Sequence, residues 1–210
     1  MRRLPRGRHG LSREYVAQNQ RQRLLVALVE TLDERGYEKT TVSLVGARAR
    51  VSKSDFYRHF ASKDACFVAA YDEAVEDLRV EMLAACAKQS GWAEGVCAGL
   101  AAALAWLARE PARANLLLVE GLRAGREIYD HFLAALQSFV PPLRDSAPSR
   151  AAPPPEAADE AVVGGVVSLL GRRVLAGETE QMERFFPEVA VFALTPYLGA
   201  AAARRIISTR

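Results

Sequence analysis

Of the six Ser/Thr residues from Thr40 to Lys63, three stand directly before segments suited to a helix. Thr41, Ser52 and Ser62 each offer a side-chain oxygen to the free backbone N–H groups of a helix's first turn. Behind Thr41 run Leu44, Val45 and Ala49, which the pattern turns inward; behind Ser52 come Phe56 and Phe60, four apart and so on one face. Arg50-Val51 makes a tight turn between the two, with Val51 filling it. Two short helices joined in this way, the second ending Phe-Tyr-Arg-His-Phe, form a helix-turn-helix, a unit that lays its second helix in the DNA major groove. The feature turns an otherwise generic helical chain into a candidate sequence-specific binder of double-stranded DNA.

Charge is distributed to match. Residues 1–63 carry 14 Lys/Arg against 6 Asp/Glu, whereas residues 64–210 carry 14 against 19. A basic head on an acidic body directs only the head toward a polyanion. Half of the 210 residues are hydrophobic, enough for a sizeable core. No apolar run is long enough to span a bilayer, and the basic start has no apolar run behind it to form a secretory signal. A cytoplasmic chain with no membrane partner is expected. Cys66, Cys86 and Cys97 lack metal-ligand spacing and are odd in number, so they read as buried small hydrophobes, with redox sensing as the lesser alternative. Neither a metal site nor a cofactor is expected.

Periodicity elsewhere is helical throughout, with no strand pattern, so the fold class is all-α with about nine helices. Residues 1–11, rich in Arg, Gly and Pro, read as a disordered basic arm; Arg2, Arg3, Arg6 and Arg8 add loose phosphate neutralisation or reach the minor groove. Ser12 caps a first helix that Gly36 ends, with Tyr37 folding back on the core. Ser62 caps a fourth helix running to about Gln89 with Phe67, Tyr71, Val75, Leu78 and Met82 on one face. Helices are then expected over 93–109, from Pro111 through Leu116-Leu117-Leu118-Val119, over 124–139 until Pro141-Pro142 stop it, over 157–176 and over 183–205, where Pro187 and Pro196 blur the bounds. Residues 145–158 read as a Pro/Ala linker.

The segments Thr41-Val42, Val45-Gly46, Ala49-Arg50-Val51-Ser52, Phe56-Tyr57, Phe60 and Lys63-Asp64 resemble the TetR family of bacterial transcriptional regulators over about residues 12–66. That resemblance implies a homodimer, with a DNA-binding head over 12–62 and a ligand-binding and dimerisation body over 63–210. It implies phosphate contacts at Thr41, Tyr57 and Lys63, and a four-helix dimer interface from the last two helices, whose Gly-rich run at 164–171 suits close packing. One departure stands out: the usual turn glycine is Arg50, either a phosphate contact or a solvated turn residue. The inward phenylalanines leave Lys53, Ser54, Tyr57 and Arg58 facing out, where Lys and Arg suit guanine edges and Ser several bases. Ser52 belongs to the same surface, and His59 is either a backbone contact or a solvated residue.

For the body, Trp92, Cys97, Trp106, Glu120, Tyr129 and Phe132 are the candidate pocket residues, against the plainer reading that aromatics at helical spacing are core. Glu120, at the end of a strongly apolar run, either faces a ligand or pairs with Arg123 or Arg113; pairing is preferred because a buried carboxylate without a partner is costly. The expected function is a repressor released from a palindromic operator by a small, largely apolar ligand. The alternatives are an effector-independent DNA-binding dimer or, with less support, an enzyme using the body cavity. Against the enzyme, His9 and His131 lie far apart with no nucleophile-and-base constellation around them.

Overall fold

The computed structural model describes residues 12–144 and 157–208, so the basic arm and nearly all of the expected linker lie outside the described residues. Twelve α-helical stretches and no strand are found among the described residues. The head comprises α1 (Arg13–Arg35), α2 (Val42–Ala49) and α3 (Lys53–His59), and α4 (Lys63–Cys86) leads from it into the body. Then come α5 (Trp92–Arg109), α6 (Pro111–Asn115), a π-turn (Leu116–Glu120), α7 (Gly121–Arg123), α8 (Arg126–Ser138) and α9 (Val140–Arg144). The chain ends with α10 (Ala158–Leu175), a 3-10 turn (Thr179–Phe185), α11 (Phe186–Leu198) and α12 (Ala200–Ser208).

The caps form where the hydroxyls stand. Ser12, Thr41, Ser52 and Ser62 accept from the amides of Tyr15, Leu44, Asp55 and Ala65. Gly36 ends α1 at φ 73° but with an extended ψ of 168°, a conformation open to glycine rather than the simple left-handed stop. Leu44 departs from its expected inward place: it is 37 % exposed, and Val45, Gly46 and Ala49 form the inner face of α2 instead.

Prolines and glycines alter several boundaries. α8 ends at Ser138, ahead of Pro141 and Pro142 as expected, and the two prolines then occupy the first turn of a further short helix, α9, where their missing N–H groups have no partner to lose. The expected helix over 183–205 is divided by Gly199 at φ 79°, with Pro187 in the first turn of α11 and Pro196 inside it. Pro111 opens α6 as expected, but the apolar run after it adopts the wider π-turn.

One continuous core runs from Leu24, Leu28, Val45 and Phe56 in the head, through Phe67 of α4, to Leu104, Leu116, Ile128, Leu170 and Met182 in the body. A second cluster around Cys97, Ala190 and Leu194 ties α5 to α11 and α12. α10 and α11 approach closely, since a Cβ on Gly165 would meet the Phe192 ring at 2.8 Å or less, and the Tyr197 hydroxyl donates to the Asp159 carboxylate between them. Cys66 is fully buried and desolvation pushes its thiol up to about 12; burial also raises Cys86. Thiols held protonated at neutral pH make poor redox sensors.

Candidate DNA-reading surface and ligand cavity

The helix-turn-helix is set from its inner side. Phe56 is fully buried and Phe60 nearly so, their rings 5.8 Å apart, with the Arg21 guanidinium 5.3 Å from the Phe60 centroid. Burying that face fixes the rotation of α3 and leaves Lys53, Ser54, Tyr57 and Arg58 exposed. Arg23 of α1 clamps the turn, donating to Ala49 O at 3.0 Å and to Arg50 O at 2.9 Å. Sequence reasoning missed Arg23, because a cation one helix away gives no sign of which carbonyls it will reach.

Arg50 adopts the left-handed conformation, φ 53° and ψ 46°, the one positive φ at a non-glycine among the described residues. A Cβ in that region carries strain of about 1 kcal/mol. Arg50→Gly is therefore expected to raise the thermal midpoint by about 2–4 °C for a chain of this size. In the same variant the salt dependence of DNA binding separates the two roles. If the Arg50 guanidinium neutralises a phosphate, its removal lowers the slope by about one; if it is merely solvated, the slope stays unchanged.

The remaining head residues differ in availability. The Ser52 hydroxyl caps α3 and donates to Asp55 at 2.7 Å, lying 3.0 Å from the Ser54 hydroxyl. The Ser52 bond and then Arg58 hold the Asp55 carboxyl below its usual range. Arg58 pairs with Asp55 at 3.3 Å yet stays 80 % exposed, a weak pair that a base or phosphate can displace. His59 is half-buried with Nε2 3.2 Å from Gln20 Oε1, and burial holds its pKa below the ordinary value, so it acts as a neutral group. Thr41 is exposed at the start of α2. Lys63 is half-buried at the start of α4, where its Nζ donates to Tyr37 O at 2.9 Å and sits 3.5 Å from the Tyr37 ring centroid, leaving two of its three N–H donors for another acceptor.

In the body, a cavity of about 540 Å³ opens between α4, α5, α10 and the α8–α9 corner. Its walls include Leu78, Met82, Trp92, Leu104, Val166 and Leu170. Polar groups are sparse: Arg79, Gln89, Ser90, Ser138 and the Cys86 thiol, with no carboxylate in the lining. Arg79 already pairs with Glu76 through two bonds of 2.8 and 2.9 Å.

Of the six pocket candidates, Trp92 alone lines the cavity, its Nε1 donating to Leu143 O at 3.1 Å. Cys97 and Trp106 are core, the latter 2 % exposed with Arg113 stacked over its ring at 5.3 Å. Phe132 packs in the core beside Gly121, and Tyr129, stacked on it at 6.0 Å, faces out at 41 % exposure. Glu120 is 3 % exposed and points away from the cavity, accepting from the Tyr37 amide at 2.7 Å; Arg123 is more distant at 3.9 Å, and Arg113 pairs with Asp77 instead.

Residues 24–70 match the family model of bacterial regulatory proteins, tetR family. The head is a TetR-family DNA-binding domain. Uncharacterized HTH-type transcriptional regulators of Mycobacterium tuberculosis and Mycobacterium bovis are 39 % identical to this chain over 57 residues, 27 % of it and 28 % of their own length. The chain thus matches little more than a quarter of these relatives. Among solved structures, the transcriptional regulator FadR from Bacillus subtilis, crystallised with stearoyl-CoA, aligns with a TM-score of 0.73 at 14 % identity, covering 85 % of this chain and 98 % of that one. SmeT, the repressor of the Stenotrophomonas maltophilia multidrug efflux pump SmeDEF, aligns at 0.69 and 18 % identity over 85 % and 92 %. At such identities the likeness is one of fold. No described helix is long and apolar enough to cross a membrane.

Proposed function

We propose that this TetR-family protein is a DNA-binding transcriptional regulator that represses from a palindromic operator as a homodimer and is released by a largely apolar small molecule held in the body cavity. The exposed row Lys53, Ser54, Tyr57 and Arg58, on a helix whose opposite face is locked in the core, carries the reading. Thr41, Ser52 and Arg50 border that row and supply further polar groups at the helix starts and the turn. The close α10–α11 pair, with Leu175 and Phe192 exposed, supports a twofold dimer through these helices. Lys53→Ala and Arg58→Ala are expected each to weaken binding to a preferred duplex by about 1–3 kcal/mol where they read a base, or to lower the salt slope by about one where they touch phosphate. Fluorescence anisotropy at several salt concentrations measures both, and variants that leave affinity and slope untouched contradict the assignment.

The lining of the cavity supports a largely apolar ligand. FadR from Bacillus subtilis was crystallised with a long-chain acyl thioester, and the apolar walls here suit an acyl or similar hydrocarbon body. With no carboxylate in the lining, a cation would be desolvated without a partner, which is strongly unfavourable. Decanol and decanoate are therefore expected to raise the thermal midpoint and release bound DNA, and decyltrimethylammonium to do neither. Stabilisation by the cation alone would contradict this reading. The lining also holds no histidine or carboxylate to serve as a base, so nothing there favours an enzyme.

A further inference from the structure

Glu120 is a buried carboxylate with no part in the cavity, and its principal partner belongs to the head. Its Oε2 accepts from the Tyr37 backbone N–H at 2.7 Å, directly after the end of α1. The positive φ of Gly36 presents that amide, and a Cβ there would lie 3.9 Å from both Glu120 oxygens. Tyr37 is in turn held to the first turn of α4 on every side. Lys63 donates to its carbonyl at 2.9 Å and covers its ring at 3.5 Å, its hydroxyl donates to Asp64, and Phe67 meets it edge-on at 5.8 Å. Tyr37 therefore joins three things: the end of α1, the start of α4 and the π-turn.

The π-turn has a second face. Leu118, two residues before Glu120 and so on the opposite side of the turn, lines the cavity. Behind it α10 presses closely, since a Cβ on Gly171 would lie 3.0 Å from the Leu118 carbonyl oxygen. A π-turn holds one residue more than an α-turn, so it has a discrete alternative, the closed α register, in which the residues after it rotate relative to those before. A packed element with two arrangements can carry coupling between sites.

We infer that Glu120 is the positioning residue through which occupation of the cavity reaches the DNA-reading head: displacement of Leu118 re-sets the π-turn and withdraws the carboxylate from the Tyr37 amide, freeing the α1 end and the α4 start to move. The inference rests on the proposed DNA-binding role of the head. It makes Glu120 a coupling group and not a ligand contact, and it makes Lys63 part of the hinge.

The test needs no natural effector. Ala103 lines the cavity, and Ala103→Trp fills part of it from within. Operator affinity is measured for the unaltered protein, A103W, Glu120→Ala and the double variant, a cycle whose non-additivity reports coupling. Ala103→Trp is expected to change operator affinity at least tenfold in the native background and less than threefold beside Glu120→Ala. Glu120→Gln, which keeps an oxygen acceptor, restores the native response. Equal changes in both backgrounds, or less than threefold in the native one, overturn the inference. Hydrogen exchange at the Tyr37 amide in A103W gives an answer even if Glu120→Ala fails to fold: exchange at least tenfold faster than in the unaltered protein is expected, and unchanged protection overturns the inference. A native protein that selects no operator at all refutes the underlying DNA-binding reading instead.

Discussion

Replacing Phe56 by alanine is expected to cost about 3–5 kcal/mol of global stability. The ring is fully buried, packs against Phe60 at 5.8 Å and Tyr57 at 5.5 Å, and is the anchor that sets the rotation of a seven-residue helix. A helix so short has almost no stability of its own, so the loss of its anchor is not absorbed locally. The void would open inside the single core that continues into the body, so the damage should appear as a lowered global transition and not as a frayed end. DNA binding should vanish with it. Chemical denaturation followed by tryptophan fluorescence tests this; a change under 1 kcal/mol would mean that the head is not held by this face.

Trp106→Ala should cost as much, about 3–5 kcal/mol, although tryptophan at this position reads from sequence as a pocket residue. Trp106 is 2 % exposed, lies outside the cavity lining and carries the Arg113 guanidinium on its ring, with Arg113 joined to Asp77 of α4 at 2.7 Å. Its removal loses apolar burial and releases a cation that links α6 to α4. Trp92→Ala is the matched comparison: Trp92 is half-buried on the cavity wall, so its loss should weaken decanoate binding more than it lowers stability. Calorimetric melts with and without decanoate separate the two. The reverse pattern, a stable Trp106→Ala protein that no longer binds decanoate, would put the ligand site elsewhere.

The contrast between these tryptophans shows what a sequence can and cannot disclose. Local chemistry was legible: Ser12, Thr41, Ser52 and Ser62 cap the helices they precede, and the Phe56–Phe60 spacing orients α3. Those signals involve partners within a few residues. Which side of α5 meets the cavity depends instead on how α4, α8 and α10 pack around it, and an Ala/Leu-rich helix offers no stripe to decide between faces. Trp92 and Trp106, fourteen residues or nearly four turns apart, lie on almost the same face of that helix, so their different fates follow from position along its axis, one reaching the cavity and the other the core. Glu120 was legible as a buried carboxylate in need of a partner, but its donor is a backbone amide 83 positions away, which no side-chain pattern announces. Leu44 and the extra helix α9 escaped for a local reason: short helices tolerate an exposed leucine, and prolines that follow one helix can sit in the first turn of the next.

The central claim is that the row Lys53, Ser54, Tyr57 and Arg58 reads DNA sequence as part of a twofold dimer. Selection of bound molecules from randomised duplex DNA, at two salt concentrations, tests it most directly. Recovery of a palindrome whose half-sites lie about one helical turn apart, enriched at both salt levels, is the predicted result. Binding that shows no preferred sequence and disappears at the higher salt would contradict it, leaving a basic surface that neutralises phosphates without reading bases.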